Sequence, residues 1–277
     1  MKKQSPSNPL VSVIIPTHNR LERLKSAIDS VLNQSYTNLE LLVVDDGSED
    51  GTAKYLDTVK DERFKFYINE KPKGANFARN IGLKNASGKY VALLDDDDEW
   101  FKNKLEIQMA ELLKDENLVG VSCSYKIVDE INEGFKSEVK RDMTVDFEKL
   151  LNQNFVGSCS FFLFKKQEAV FFDESLNSCQ DWDFYLQLTR KTDLSIKILP
   201  FFLVKYYVHS QQISGSGHKR IAGEKAFLTK YKKYLSLKNH YNFRYIYRGW
   251  MRESLIDVVG TERFVALRNI YRKTLKS

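Results

Sequence analysis

Four short apolar runs mark the first hundred or so residues: 10–16 (LVSVIIP), 39–44 (LELLVV), 64–68 (FKFYI) and 90–94 (YVALL). Their length and β-forming content predict strands, the third more exposed than the rest. Between the runs the apolar residues change to helical spacing. Leu21, Leu24, Ile28, Val31 and Leu32 share one face, and Asn19 with Glu22 is spaced as in a capping box. Residues 50–59 and 74–86 predict two more helices, the second closed by Ser87-Gly88. Strands and helices alternating over short connections imply an α/β class with a mixed, mostly parallel sheet and right-handed crossovers. In open sheets of that kind the ligand sits outside the carboxyl ends of the strands.

Beyond Trp100 a helix is expected to about Lys114, with Leu105, Met109, Leu112 and Leu113 on one face, then a strand over 118–128. Residues 131–143 are polar and charged and read as a loop over the site. A short helix over 144–153, a turn over 154–158 and a strand over 159–164 follow. Next come a helix from the QDWD stretch to about Arg190 and a strand-rich run over 194–208 that ends at His209. The SQQISGSG stretch, 210–217, is a polar loop, and the remainder is helical. The expected organisation is a disordered lead over 1–9, a principal domain over 10–215 and a basic, aromatic helical extension over 216–277.

Composition narrows the reading. With 277 residues, 42% of them hydrophobic, the chain can bury a large core. No apolar run approaches the ~20 residues that span a bilayer. The first ten residues have a basic start but lack the apolar stretch of a signal peptide. Cys123, Cys159 and Cys179 are odd in number and fit no zinc spacing, which points to a reducing cytoplasm. The formal charge of +6 is unevenly spread. From Lys219 to Ser277 there are 15 Lys/Arg against 4 Asp/Glu, a net of +11, so the first 218 residues carry −5. The two parts are expected to do different jobs.

The candidate chemistry lies at the strand ends. The run 90–94 leads directly into Asp95, Asp96, Asp97 and Asp98. Carboxylates this close raise one another's pKa and destabilise a fold unless a cation neutralises them. Alternate residues of an extended segment point the same way, so Asp95 and Asp97 can reach one ion. Hard oxygen ligands suit Mg²⁺ or Mn²⁺, which keep positions open for water and phosphates. The plainer alternative is an acidic cap on the next helix. The second strand ends in Asp45-Asp46-Gly47-Ser48, which alone would read as a turn and cap. Together with Pro16 to Asn19 after the first strand, three unusual sets gather at one sheet edge. No GxGxxG follows the first strand and no GxxxxGK[ST] occurs, which disfavours a dinucleotide fold or a P-loop.

The motifs VSVIIPTHNR, ELLVVDDGSEDGT, ARNIGLKNASGKYVALLDDDDEW and QDWDFYLQL, in this order and spacing, resemble family 2 glycosyltransferases of the GT-A fold. The resemblance covers roughly residues 10 to 210. It implies inverting transfer of a sugar from a nucleotide diphosphate sugar, with uracil the favoured base, to an acceptor hydroxyl in surface-polysaccharide or lipid-linked oligosaccharide synthesis. It places Pro16, Thr17, His18 and Asn19 in a loop that contacts nucleobase and ribose, and Asp46 or Asp45 at the uracil edge. Arg79 and Asp96 join the nucleotide site. Asp95 and Asp97 take the DxD positions for a divalent cation, Mn²⁺ or Mg²⁺, and His209 resembles a histidine that in some members reaches the metal or diphosphate. Asp181 aligns with the catalytic base. Gln180 stands where the family more often has Glu, which removes a second carboxylate from that position. The chemistry is coherent: a cation stabilises the departing diphosphate, and a carboxylate on the opposite side takes the acceptor's proton.

Each residue also has a plainer reading. His18 and His209 could be solvated or strand-end histidines, Arg79 could pair on the surface, and Asp181 with Asp183 could simply favour a helix dipole. Trp100 and Trp182 read as packing residues, although either could stack on an acceptor. The rival functions are a metal-dependent nucleotidyltransferase or phosphohydrolase and, behind them, a nucleic-acid-binding protein; nucleic acid is not an expected partner. The expected partners are the sugar donor, a saccharide or lipid-linked saccharide acceptor, and an anionic membrane surface touched by the C-terminal segment. For that segment a helical pair packed on the main domain is the alternative. The expected location is cytoplasmic, peripheral on the inner face of the plasma membrane.

Overall fold

The computed structural model describes residues 8–140, 142–167, 170–209 and 217–234. Residues 210–216 of the loop expected over 210–217, and residues 235–277, which carry most of the expected membrane contact, lie outside them; Gly217 begins α7 instead. The chain runs β1 (Val11–Thr17), α1 (Leu21–Leu32), β2 (Leu39–Asp45), α2 (Thr52–Leu56), β3 (Phe64–Ile68), α3 (Ala75–Asn85) and β4 (Tyr90–Leu93). It continues through β5 (Glu99–Trp100), α4 (Lys104–Leu112), β6 (Leu118–Asp129), β7 (Gly134–Glu138), β8 (Met143–Val145) and α5 (Phe147–Asn152). It then forms β9 (Leu163–Lys165), α6 (Gln180–Thr192), β10 (Ser195–Val208) and α7 (Gly217–Tyr231).

One sheet carries the order β3-β2-β1-β4-β9-β6-β10-β5, with β7 beside β6 and β8 beside β10. Strands β3, β2, β1 and β4 are mutually parallel, as are β6 and β10; the remaining pairings are antiparallel. Most of the paired length is therefore parallel. Every residue of β1 and β2 is buried, as expected of central strands covered on both faces. Alternation then divides the core. Val11, Val13 and Ile15 face Leu24, Ile28, Val31 of α1 and Leu105, Met109 of α4. Ile14 faces the other way, into the cluster of Leu83, Phe162, Phe184 and Tyr185. Helix α3 crosses that face closely, since a Cβ on Gly82 would lie 2.4 Å from the Ile14 side chain.

The structure corrects several local expectations. The spacing of Asn19 and Glu22 makes no capping box: Asn19 is left-handed at φ 54°, Arg20 is the N-cap residue with no side-chain cap, and Asp50 Oδ2 accepts from Leu21 N at 2.9 Å. The capping carboxylate comes from 29 residues away, which local spacing cannot reveal. Residues 131–143 contain β7, which pairs antiparallel with β6, rather than forming only a loop. The ladder forms despite the polar composition because Phe135, Lys136 and Ser137 are all exposed, so the pairing does not depend on burying a face of β7. The 159–164 strand is split into a 3-10 turn over Cys159–Phe161 and the short β9. The 50–59 helix shortens to α2. Among the described residues no helix is long and apolar enough to cross a membrane. Helix α7 buries Phe227 and Tyr231 in the core that holds Trp182 and Phe184.

Candidate active site

A cleft of about 500 Å³ opens along the carboxyl ends of β1, β2 and β4. Pro16, Thr17, His18, Asp46, Arg79 and the three aspartates 95–97 line it, together with Gln180 and Asp181 of α6. Of the residues expected in the site, Asn19 and Asp45 support the rim from behind, and His209 touches the cluster through Asp97.

The four aspartates occupy a turn, not an extended segment, with Asp98 N donating to the Asp95 carbonyl at 3.1 Å. The turn sends each carboxylate to a different partner. Asp95 accepts from Arg79 Nη2 at 2.6 Å and Ser158 Oγ at 3.2 Å. Asp96 accepts from Thr17 Oγ1 at 2.7 Å and Arg20 Nη1 at 2.8 Å. Asp97 meets the same Arg20 nitrogen at 3.1 Å and His209 Nε2 at 3.0 Å. Asp98 points into the core, where Tyr207 N donates to Oδ1 at 3.1 Å while Oδ2 has no partner. Burial, with Asp97 and Asp95 nearby, pushes the Asp98 carboxyl well above its usual range. Burial also lifts Asp96 to about 6 against the pull of Arg20, with Asp97 adding to the rise. Arg20 and Arg79 are buried cations whose pKa burial lowers, and the facing carboxylates more than restore it.

Asp45 and Asp46 behave differently. Asp46 accepts from Asn69 Nδ2 at 2.8 Å, Lys73 N at 2.9 Å and Gly74 N at 2.6 Å, so it organises the loop that enters α3. Its carbonyl accepts from His18 Nδ1 at 2.9 Å, and Asn19 Nδ2 donates to His18 Nε2 at 3.1 Å. These two bonds assign the proton to Nδ1. Asp45 is fully buried, with Oδ1 accepting from Ser48 N and Oδ2 unpartnered.

Asp181 stands at the first turn of α6. Cys179 just before it is left-handed at φ 58°, which turns the chain so that Gln180 and Asp181 reach the cleft. Burial pushes the Asp181 carboxyl up to about 6, although Trp182 N donates to it at 2.7 Å and Arg79 is near. Asp183 faces away from the cleft. It is fully buried and engages Gln187, Lys230 and Tyr231. Trp100 and Trp182 are packed in the two cores, each with its indole N–H donated to a backbone carbonyl.

Among the described residues no three His, Cys, Asp or Glu side chains already converge as a metal site. Asp95 and Asp97 nonetheless supply hard oxygens at the open end of the cleft, the donor type that Mg²⁺ and Mn²⁺ take together with substrate phosphates. Three participants had no role assigned from the motifs. Arg20 bridges Asp96 and Asp97, and its only signal was a basic residue following the first strand's turn. Ser158 and Tyr206 reach the cleft from distant segments and had no local signal.

Comparison with known proteins agrees with this architecture. The model of the family Glycosyl transferase family 2 matches residues 12–171. A UDP-Glc:alpha-D-GlcNAc-diphosphoundecaprenol beta-1,3-glucosyltransferase of Escherichia coli, WfgD, is 31% identical over 240 residues, covering 87% of this chain and 93% of WfgD. An uncharacterised glycosyltransferase of Rickettsia typhi is 33% identical over 245 residues, covering 84% of this chain and 75% of its own length. In three dimensions the chain is similar to S. aureus TarS 1-349 in complex with UDP-GlcNAc. The TM-score is 0.64 at 19% identity, over 79% of this chain and 65% of that one. That likeness establishes the GT-A fold, and with the family model spanning more than half its length, the chain belongs to glycosyltransferase family 2 and is a glycosyltransferase.

Proposed function

We propose that the enzyme transfers a sugar, with inversion, from a uridine diphosphate sugar to a hydroxyl of a saccharide carried on a lipid diphosphate. The observation that carries this reading is the cleft itself: the acidic turn and the Asp181 carboxylate line the same cavity. Direct displacement needs a base on the face away from the leaving group, the role this reading gives Asp181. WfgD, similar over nearly its whole length, is named for a UDP-sugar donor and a diphosphoundecaprenol-linked acceptor.

In this reading Pro16, Thr17, His18 and Asn19 form the nucleoside rim, and Asp46 holds the loop against it. Asp45 supports that rim from behind, while Arg79 and Asp96 sit toward the diphosphate. Asp95 and Asp97 would hold a divalent cation, with His209 steadying Asp97. When bound, the cation supplies Lewis-acid stabilisation of the diphosphate. Asp181 takes the acceptor proton. Its raised carboxyl, at about 6, is ionised at neutral pH and a better base than an ordinary aspartate. Arg79 lies beside Asp95 and steadies negative charge at the same place.

A lipid-linked acceptor places the reaction at a membrane surface. The basic segment 219–277 is the proposed docking element, on the cytoplasmic face in keeping with the cysteine usage. Flotation with anionic and neutral vesicles tests it: equal flotation removes the docking element.

The functional test is a transfer assay with a panel of UDP-sugars, Mn²⁺ and a short-chain polyprenyl diphosphate-linked GlcNAc. The expected product is a disaccharide whose new linkage has the anomeric configuration opposite to the donor's. Release of UDP without an acceptor product, or retention of configuration, contradicts the reading. Asp181→Asn should lower kcat roughly 10²-fold or more while donor binding changes little.

A further inference from the structure

We propose that Lys230 of α7 is a positioning residue that holds the two sides of the cleft in register. The proposal rests on the assignment of Asp181 and Asp95 to opposite sides of the reaction. One ammonium group touches two separate segments. Its Nζ lies 2.7 Å from Asp173 Oδ2 and 2.9 Å from Asp183 Oδ1.

The first arm leads to the base. Asp183 is two residues beyond Asp181 on the first turn of α6, and its side chain is fully buried. A buried carboxylate is tolerated only when its lone pairs are taken up. Here Tyr231 Oη donates to Oδ1 at 2.7 Å and Gln187 Nε2 to Oδ2 at 2.8 Å, beside Lys230. Between the two aspartates, the Trp182 ring lies 4.7 Å from that of Phe227 on α7. The turn that aims Asp181 into the cleft is thus gripped from behind by α7.

The second arm leads to the acidic turn. The Asp173 carbonyl accepts from Asn76 Nδ2 at 3.0 Å, and Asn76 Oδ1 accepts from Arg79 Nη1 at 3.3 Å. Arg79 then holds Asp95 at 2.6 Å. Asn76 and Arg79 are buried, so the relay runs through packed protein. Lys230 is therefore the point where the chain behind the base and the chain behind Asp95 are tied together. Among the described residues, neither Lys230 nor any other residue of α7 lines the cleft, which separates positioning from contact with substrate.

The test uses the full chain with Lys230→Met and Lys230→Arg, assayed well below each variant's unfolding midpoint. Lys230→Met should lower kcat about tenfold, the scale of a small misplacement of reacting groups, with KM for the UDP-sugar changed less than twofold. Lys230→Arg, which keeps the charge and both contacts, should recover most of the loss. A second readout needs no turnover: Mn²⁺ binding at saturating UDP should weaken several-fold in Lys230→Met, since the second arm ends at Asp95. A variant with lowered Tm but wild-type kcat and Mn²⁺ affinity would overturn the proposal and leave Lys230 a stabilising residue only. If Lys230→Met does not fold, Tyr231→Phe decides, because it removes one hydroxyl from Asp183. A fall in kcat of about threefold supports the proposal, and an unchanged kcat overturns it. Failure of the functional reading has a different signature: wild-type protein that transfers no sugar, in which case the Mn²⁺ comparison alone judges the role of Lys230.

Discussion

At the end of β2, the Asp46 carboxylate is met by an asparagine side chain and by the backbone N–H groups of Lys73 and Gly74. At the end of β4, four carboxylates share two arginines, one histidine and a few hydroxyl and amide donors, and one oxygen of Asp98 is left without a partner. Both strands finish in paired aspartates at the same edge of one sheet. In the first pair Asp46 is satisfied by an asparagine amide and two backbone N–H groups and organises a loop, while one buried oxygen of Asp45 has no partner. The second holds more negative charge than its neighbours take up, and burial pushes two of its carboxyls upward as a result. A strand-end aspartate is thus a structural device where N–H groups converge on it, as at Asp46; the proposed ligand site lies at the strand end where they do not.

The sharpest way to break this contrast is Asp97→Asn. It should remove metal-stimulated transfer by roughly 10²-fold or more, while thermal stability is kept or rises because like-charge repulsion is relieved. Full activity of this variant in the presence of EDTA would show that the cation role is misplaced. Asp46→Asn should act oppositely, on the fold more than on the metal. An amide would turn a donor toward the Lys73 and Gly74 N–H groups, and leaving such groups unpaired costs about 1–3 kcal/mol. Denaturant unfolding checks this, and unchanged stability would mean that the loop does not depend on Asp46.

A pH series sharpens the comparison further. The Asp96 carboxyl is raised to about 6 in the folded state, so the folded protein holds its proton more tightly than the unfolded chain. Its contribution is complete below about 4 and is lost as pH rises toward 6. Other carboxyls, such as Asp61 and Asp173, are lowered and contribute in the opposite sense. The informative quantity is therefore the stability of wild type minus that of Asp96→Asn, which should fall between about pH 4 and 6 without metal. A flat difference would deny the burial effect. The smallest expected change is at Asp98. Burial raises its carboxyl well above the usual range, which favours the uncharged form, so the isosteric Asp98→Asn should shift stability by only about 0.5 kcal/mol or less. A loss of several kcal/mol would mean that Asp98 is charged in the fold.

The two strand ends also separate what could be read in the sequence from what could not. The apolar runs before Asp45 and Asp95, and the helical spacing of Leu21 to Leu32, are local signals, and the strands and helix they predict are present. The clustering of carboxylates at one edge followed from the same alternation. What distinguishes Asp46 from Asp95–Asp98 is partner identity, and those partners lie 16 to 112 residues away. Asn69, Arg20 and Ser158 gave no spacing pattern that could assign them. The hairpin of β6 and β7 was hidden because consecutive residues of β7 are exposed, which leaves no hydrophobic alternation to read. The contact of Lys230 with Asp183 was hidden for a different reason: each looked like an ordinary solvated charge on its own helix.

In the proposed reading the end of β4, and not the end of β2, takes the divalent cation. Electron paramagnetic resonance of Mn²⁺, titrated at saturating UDP into wild type, Asp97→Asn and Asp46→Asn, tests this most directly. The account predicts a single tight Mn²⁺ in wild type, retained in Asp46→Asn and weakened at least about tenfold in Asp97→Asn. Wild-type Mn²⁺ affinity in Asp97→Asn, or an equal loss in Asp46→Asn, would contradict it.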